Sequence, residues 1–339
     1  MSTIATIGAL ALDQAHLRAR LDTLTRQVST GMRGERHGDL GAEARRAVDL
    51  RGEIMRREAA AAAADRALAR TGVTQSVLGR LNDLAGGVAA EAARARTLGA
   101  TGVEALALTA RAALAEAAAL LNTRHGAEYL FAGAHVDVAP VPDGAGIAGG
   151  PMATAISAAV ATLDPLNAPA VLAAAATAAN DPLTTPFAAT LESATGLAEP
   201  RRAVQVADGE RVSIGVLANR DQADEVALSW GRELLRGLAT LAALTPAQAA
   251  QGAGYDTLLA GVAAGLSGAA AGLAVEAGAL GAGEARIEAA RERHADTLVA
   301  LRAQLGDAEE VDLAAATAAL RAVQARLQAS YEATSMVAR

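Results

Sequence analysis

The chain has 339 residues, 52% of them apolar but only 2% aromatic, and a formal net charge of −7. All its basic residues are arginine and it has no cysteine. This excludes lysine Schiff-base and P-loop chemistry, disulfides, thiol catalysis and thiolate metal sites. The acidic balance argues against nucleic acid as the main partner. Alanine fills the role that aromatics play in an enzyme's core and pocket, which suits close helix–helix packing.

The chain opens on a heptad seam. Ile7, Leu10, Gln14, Leu17, Leu21, Leu24 and Val28 are spaced alternately three and four apart, with Gln14 the polar member. The first charge is Asp13, so no basic region precedes the apolar opening and a cleaved signal peptide is not expected. Residues 29–41 mix glycines with charges and read as a loop. From Ala42 to Arg124 the pattern is helical, broken at Gly99–Gly102. Val77, Leu81, Leu84 and Val88 mark one apolar face; Val103, Leu106, Ala110, Leu114, Ala117 and Leu121 mark another.

The block 122–142 holds Tyr129 and Phe131 and ends in Pro140 and Pro142, which predicts a turn into a short extended segment. The Gly- and Pro-punctuated insert that follows predicts two short Ala-rich helices, over 153–163 and 169–179. Val204 and Val206 alternate before Asp208-Gly209, and Val212, Ile214 and Val216 after it, a strong hairpin signal.

Helix is predicted again from Asn219, with Val226, Trp230, Leu234 and Leu238 on one face, stopping near Thr245-Pro246. A long helix should run from Pro246 to Leu305, followed by the acidic break 306–312. In the last segment Leu313, Leu320, Leu327 and Thr334 fall seven apart, with Ala316, Val323, Ser330 and Val337 in an offset set. Each terminal stripe is apolar, so burying one on the other removes both from water. The expected fold is mainly α: an elongated, antiparallel, coiled-coil-like helical rod built from both termini, with a small α+β insert domain. The expected division is 1–135, with a terminal assembly helix at 1–35, an insert at 136–217, and 218–339, with an assembly helix at 311–339.

Candidate chemistry is thin. Gly144, Gly146 and Gly149 match a dinucleotide-binding pattern literally, but prolines precede it and Gly150-Pro151 follow, so a flexible loop is the better account. His16, His37, His125, His135 and His294 share no ligand spacing, and Asp307, Glu309, Glu310 and Asp312 form no calcium loop. Helix capping explains the acidic break more simply. Trp230 at helical spacing reads as core. Residues 258–275 carry no charge and imitate a membrane span, but they are Ala/Gly-rich and flanked by Asp256 and Glu276, so a tightly packed helix is expected. No catalytic, metal or cofactor-binding residues are expected, and no cofactor.

Several stretches together resemble the flagellin superfamily: residues 24–33, Arg51 to Arg57, 81–84, 283–288 and 311–335. Within it, Asn122, Thr123, Arg124, Tyr129, Leu130, Phe131, Ala132 and Gly133 resemble the branch of hook-associated proteins that join hook to filament. The resemblance implies an extracellular, non-enzymatic subunit, exported unfolded through the flagellar type III apparatus. It implies a homo-oligomeric ring of about eleven subunits. Implied neighbours are the first hook-associated protein, the filament flagellin, and a cytoplasmic export chaperone on the C-terminal helix; no nucleic acid and no membrane partner is implied. The assembly seam would be Ile7, Leu10, Leu17, Leu21, Leu24, Val28, Leu313, Leu320, Val323, Leu327 and Val337. Such stripes would be marginally ordered alone and would order on assembly.

The chain departs from the family pattern at Met336-Val337-Ala338-Arg339, where relatives run on into an apolar tail. It is either shortened or lacks part of the innermost layer. The alternatives are the filament flagellin itself and, more remotely, a signalling coiled-coil protein. The second would need residues 258–275 to span a membrane.

Overall fold

The computed structural model describes residues 3–34, 36–98, 100–223 and 225–337. The fold is mainly α, with long helices and a small β element, in two compact units: residues 1–61 with 292–339, and residues 62–291.

The first unit holds α1 (Thr3–Thr30), the start of α2 (Ala44–Leu98), the end of α10 (Ala253–Glu309), and α11 (Leu313–Val337). Leu and Ala dominate α1 and α11, and neither has an internal proline or, among its described positions past the first turns, a glycine break. α1 ends where Gly31 takes a left-handed conformation at φ 72° and its amide bonds back to the Gln27 carbonyl at 2.9 Å. α11 starts on Asp312, whose Oδ1 accepts from the amides of Ala314 and Ala315 at 2.9 and 3.0 Å. Asp312 caps as expected, but the break is shorter than 306–312, because α10 runs through Asp307 to Glu309. A core of Leu24, Ala47, Leu50, Ile54, Leu298, Ala308, Ala316 and Val323 lies within this unit.

The second unit adds α3 (Ala100–Leu121), the hairpin β1 (Arg124–His125) and β2 (Glu128–Tyr129), α4 (Pro151–Ala161) and α5 (Ala168–Asn180). Two single-turn helices follow, α6 (Ala189–Glu192) and α7 (Ala194–Leu197), then β3 (Ala203–Ala207) and β4 (Glu210–Ser213), α8 (Trp230–Ala242) and the short α9 (Pro246–Ala249). α8 is the centre: α3, α4 and α5 pack on it, with Trp230, Leu234, Leu235, Leu238 and Leu241 buried. β3 and β4 are antiparallel, and Gly209 supplies the φ of 77° that the Asp208-Gly209 turn needs. The two Ala-rich helices lie within two residues of the expected 153–163 and 169–179, and the hairpin turns at Asp208-Gly209 as expected, although β4 ends at Ser213, before Ile214 and Val216.

Two helix starts differ most from expectation. Helix does not resume at Asn219; it resumes at Trp230. Asp221 is the cause: its Oδ1 accepts from the amides of Ala223 and Glu225 at 2.9 Å, an Asx-type turn that competes with helix. Val226 therefore lies off the helix. Nor does one helix run from Pro246. Thr245 caps the single turn of α9, and Gly252 at φ 55° breaks the chain before α10.

By length and composition α10 could cross a membrane. Here its apolar face is packed: Leu258, Leu259, Val262, Leu266, Ala269 and Leu273 are buried. Small residues make the contacts close. A Cβ on Gly272 would stand 2.9 Å from the Trp230 Cβ, and one on Gly237 would stand 2.8 Å from Leu266 Cδ2.

Candidate assembly surface

α1 and α11 lie antiparallel and close their stripes on each other. Along α1, Leu24 is buried and Gln14, Leu17, Leu21 and Val28 are half-buried; along α11, Ala316 and Val323 are buried and Leu320, Leu327, Ser330 and Thr334 half-buried. The heptad spacing thus names the facing residues on both helices. The side chains of Ile7, Leu10 and Val337 lie outside the described residues. Leu313 is a correction: it is 52% exposed.

Polar contacts set the register. Gln14 Nε2 donates to Thr334 Oγ1 at 2.8 Å and to Ser330 Oγ at 3.3 Å. One turn on, Arg18 Nε donates to the Tyr331 hydroxyl at 2.9 Å, with the guanidinium 5.5 Å from the ring centroid. At the opposite end the two breaks clasp each other. Arg33 N donates to Glu309 O at 2.7 Å, Val311 N to Gly31 O at 2.9 Å, and Arg33 Nε to Glu310 O at 2.8 Å. Arg51 grips the Glu309 carboxylate with two bonds of 2.9 and 2.8 Å, which hold its guanidinium above its ordinary pKa. The two stripes cover each other in part: Leu24, Ala316 and Val323 are buried, and the remaining described leucines and Val28 are half-buried or exposed. Outside the seam this unit still exposes Leu12, Val48, Met55, Val299, Tyr331 and Met336.

The block 122–133 is a knot in the second unit. Asn122 bonds both backbone groups of Val141, donating through Nδ2 at 2.7 Å and accepting at Oδ1 at 2.9 Å. The Thr123 carbonyl accepts from Leu130 N at 3.0 Å. Arg124 donates to Ala127 O at 2.6 Å and covers the Tyr129 ring at 4.8 Å. Leu130, Phe131 and Ala132 are buried; Phe131 meets Trp230 edge-on at 6.2 Å and accepts from Ala218 N at 3.2 Å. Gly133 has φ 66°, and a Cβ there would stand 2.9 Å from Leu217 Cδ2. Every member thus has a packing or bonding task. Of the dinucleotide-like glycines, Gly144 faces Asn122 and Gly146 donates to Asp143 Oδ1 at 3.1 Å, so they serve a loop. His294 is buried beside Arg57, Nη1 to Nδ1 3.5 Å. Among the described residues no group of three or more His, Asp and Glu could hold a metal ion.

Sequence reading missed the buried ion pairs. Arg232 on α8 binds both Glu192 oxygens at 2.6 and 2.5 Å, its side chain almost wholly enclosed. Glu276 on α10 is fully buried and held by Arg201 at 3.2 Å and by Gln222 at 2.6 Å; burial pushes its carboxyl pKa up. A lone charge inside an alanine-rich helix was the available signal, visible at Glu276, but its partners lie 54 and 75 residues away.

Residues 264–339 match the family model described as the bacterial flagellin C-terminal helical region. The chain carries a flagellin-type C-terminal region. That region includes all of α11 and most of α10, so the flagellin-like part contains the C-terminal half of the paired seam. No curated protein matches the chain.

Proposed function

We propose that this chain is a structural subunit at the junction of flagellar hook and filament, exported and self-assembling through its terminal helices. The antiparallel closure of α1 on the flagellin-type α11 is the observation that carries the reading, because it makes the two ends of the chain one structural element. The block 122–133 directs the reading to the junction rather than the filament. On this reading residues 1–135 and 218–339 supply the assembling helices and 136–217 the variable outer part. With the seam closed within the chain, copies pack through the exposed apolar residues left beside it, Leu12, Tyr331 and Met336 among them. The implied neighbours are the first hook-associated protein and the filament flagellin, with an export chaperone on α11 beforehand.

The flagellin match itself favours a second reading, the filament flagellin. Immunogold labelling of intact flagella separates the two. A single band at the base of the filament is expected; label along the whole filament would transfer the protein to the second reading. No label on flagella at all would overturn both.

A further inference from the structure

A cleft of about 520 Å³ lies in the second unit between α2, the β1–β2 hairpin and β3. Its wall carries Arg66, Arg70, His125 and Arg202 against one carboxylate, Glu128, on a chain that is acidic overall. Ala63 and Ala67 on α2 are too small to fill it. The charges are not evenly paired. A single oxygen, Glu128 Oε2, accepts from Arg70 Nη1 at 2.9 Å and from Arg202 Nη1 at 2.6 Å. Arg66 makes no hydrogen bond or ion pair among the described residues. The neighbouring acid, Asp65, is engaged by Arg291 at 3.3 Å. Arg70 is 7% exposed and also donates to Tyr129 O at 3.2 Å, so one cation of the cleft is preset in place.

We propose that this cleft binds a compact tetrahedral oxyanion, of the phosphate or sulfate class, with Glu128 as a displaceable internal stand-in. Two guanidiniums converging on one carboxylate oxygen are a fork built for an oxyanion with more oxygens to offer. Glu128 is 38% exposed and sits in a two-residue strand beside Gly126 at φ 63°, so its side chain can swing to solvent without disturbing a helix. An arriving anion takes the Arg70 and Arg202 donors, gains Arg66, and leaves Glu128 to water. The excess of cations draws such an anion to this place despite the overall negative charge.

The test is calorimetric titration of the full chain with inorganic phosphate, then with sulfate, at low ionic strength against a chloride control. Saturable one-site binding is expected. Glu128→Gln removes the internal competitor and should tighten binding about tenfold, equivalent to about 1.4 kcal/mol. Arg66→Gln should weaken it about tenfold, and because Arg66 has no hydrogen-bond or ion-pair partner among the described residues the variant keeps its fold. Absence of saturable heat in both wild type and Glu128→Gln would overturn the proposal. So would equal affinity in wild type and Arg66→Gln, or weaker binding by a Glu128→Gln protein with unchanged circular dichroism.

Discussion

Gln14 on α1 donates to Thr334 Oγ1 on α11 at 2.8 Å, and Thr334 Oγ1 in turn donates to Ser330 O at 2.7 Å. Gln14 and Thr334 lie 320 positions apart in the chain. They form a polar layer inside an otherwise aliphatic seam. Such a layer adds little net stability but penalises every register that leaves the amide unpaired. Gln14→Leu should therefore leave the helix pair as stable as before, or more stable, while losing its unique alignment. Distances between spin labels on α1 and α11 would broaden into several populations. Gln14→Ala removes the same amide and should likewise lose its single alignment, and without leucine's added apolar surface it should also cost about 1 kcal/mol in thermal unfolding of the pair.

Leu24 is buried and Leu21 half-buried against α11. Replacing both by Asp places two unpaired charges in the seam, which costs several kcal/mol. Amide exchange should rise sharply over 3–30 and 313–337, while the second unit keeps its protection. Incorporation into flagella should be lost. A double variant that incorporates like wild type would remove the seam from the assembly mechanism.

Phe131 is fully buried against Trp230. Phe131→Ala should destabilise the second unit by about 3–5 kcal/mol in denaturant unfolding. Gly133→Ala should also be destabilising, because its φ of 66° is costly for a side chain and Leu217 occupies the space. Both variants should leave the α1–α11 pair intact, as read by amide exchange.

Burial raises the carboxyl pKa of Glu276, against the opposing pull of Arg201. A carboxyl with a raised folded-state pKa binds its proton more tightly folded than unfolded. Its contribution to stability is complete below the ordinary glutamate value and is lost as pH rises through the folded value. Compared with Glu276→Gln, the wild type should therefore lose melting temperature steadily as pH climbs from acid through that window. A wild-type melting temperature that holds level with, or rises relative to, that of Glu276→Gln as pH climbs would show that Arg201 and Gln222 outweigh burial.

Local pattern was enough for much of this architecture. The seven-residue spacing of Leu320 and Leu327, and the three-four spacing from Leu17 to Val28, name the facing residues on both terminal helices. Asp208-Gly209 between alternating valines is sufficient for the hairpin, because that turn needs only its own backbone freedom. Trp230 could be assigned to a core from its helical spacing, and Phe131 stands out by its scarcity. Their pairing with each other could not, since nothing local relates residues 99 positions apart in sequence. Leu313 obeys the heptad and still faces solvent; spacing along one helix does not report which side of its first turn the partner covers. The stretch after Asn219 has helical apolar spacing, yet Asp221 takes its amides into a turn. The converging guanidiniums of Arg70 and Arg202 on Glu128 come from three separate segments, and the cleft they line exists only once those segments have packed. Periodicity reports what a residue prefers among its neighbours in sequence; long-range closure sets which charges meet, and so where a ligand can be held.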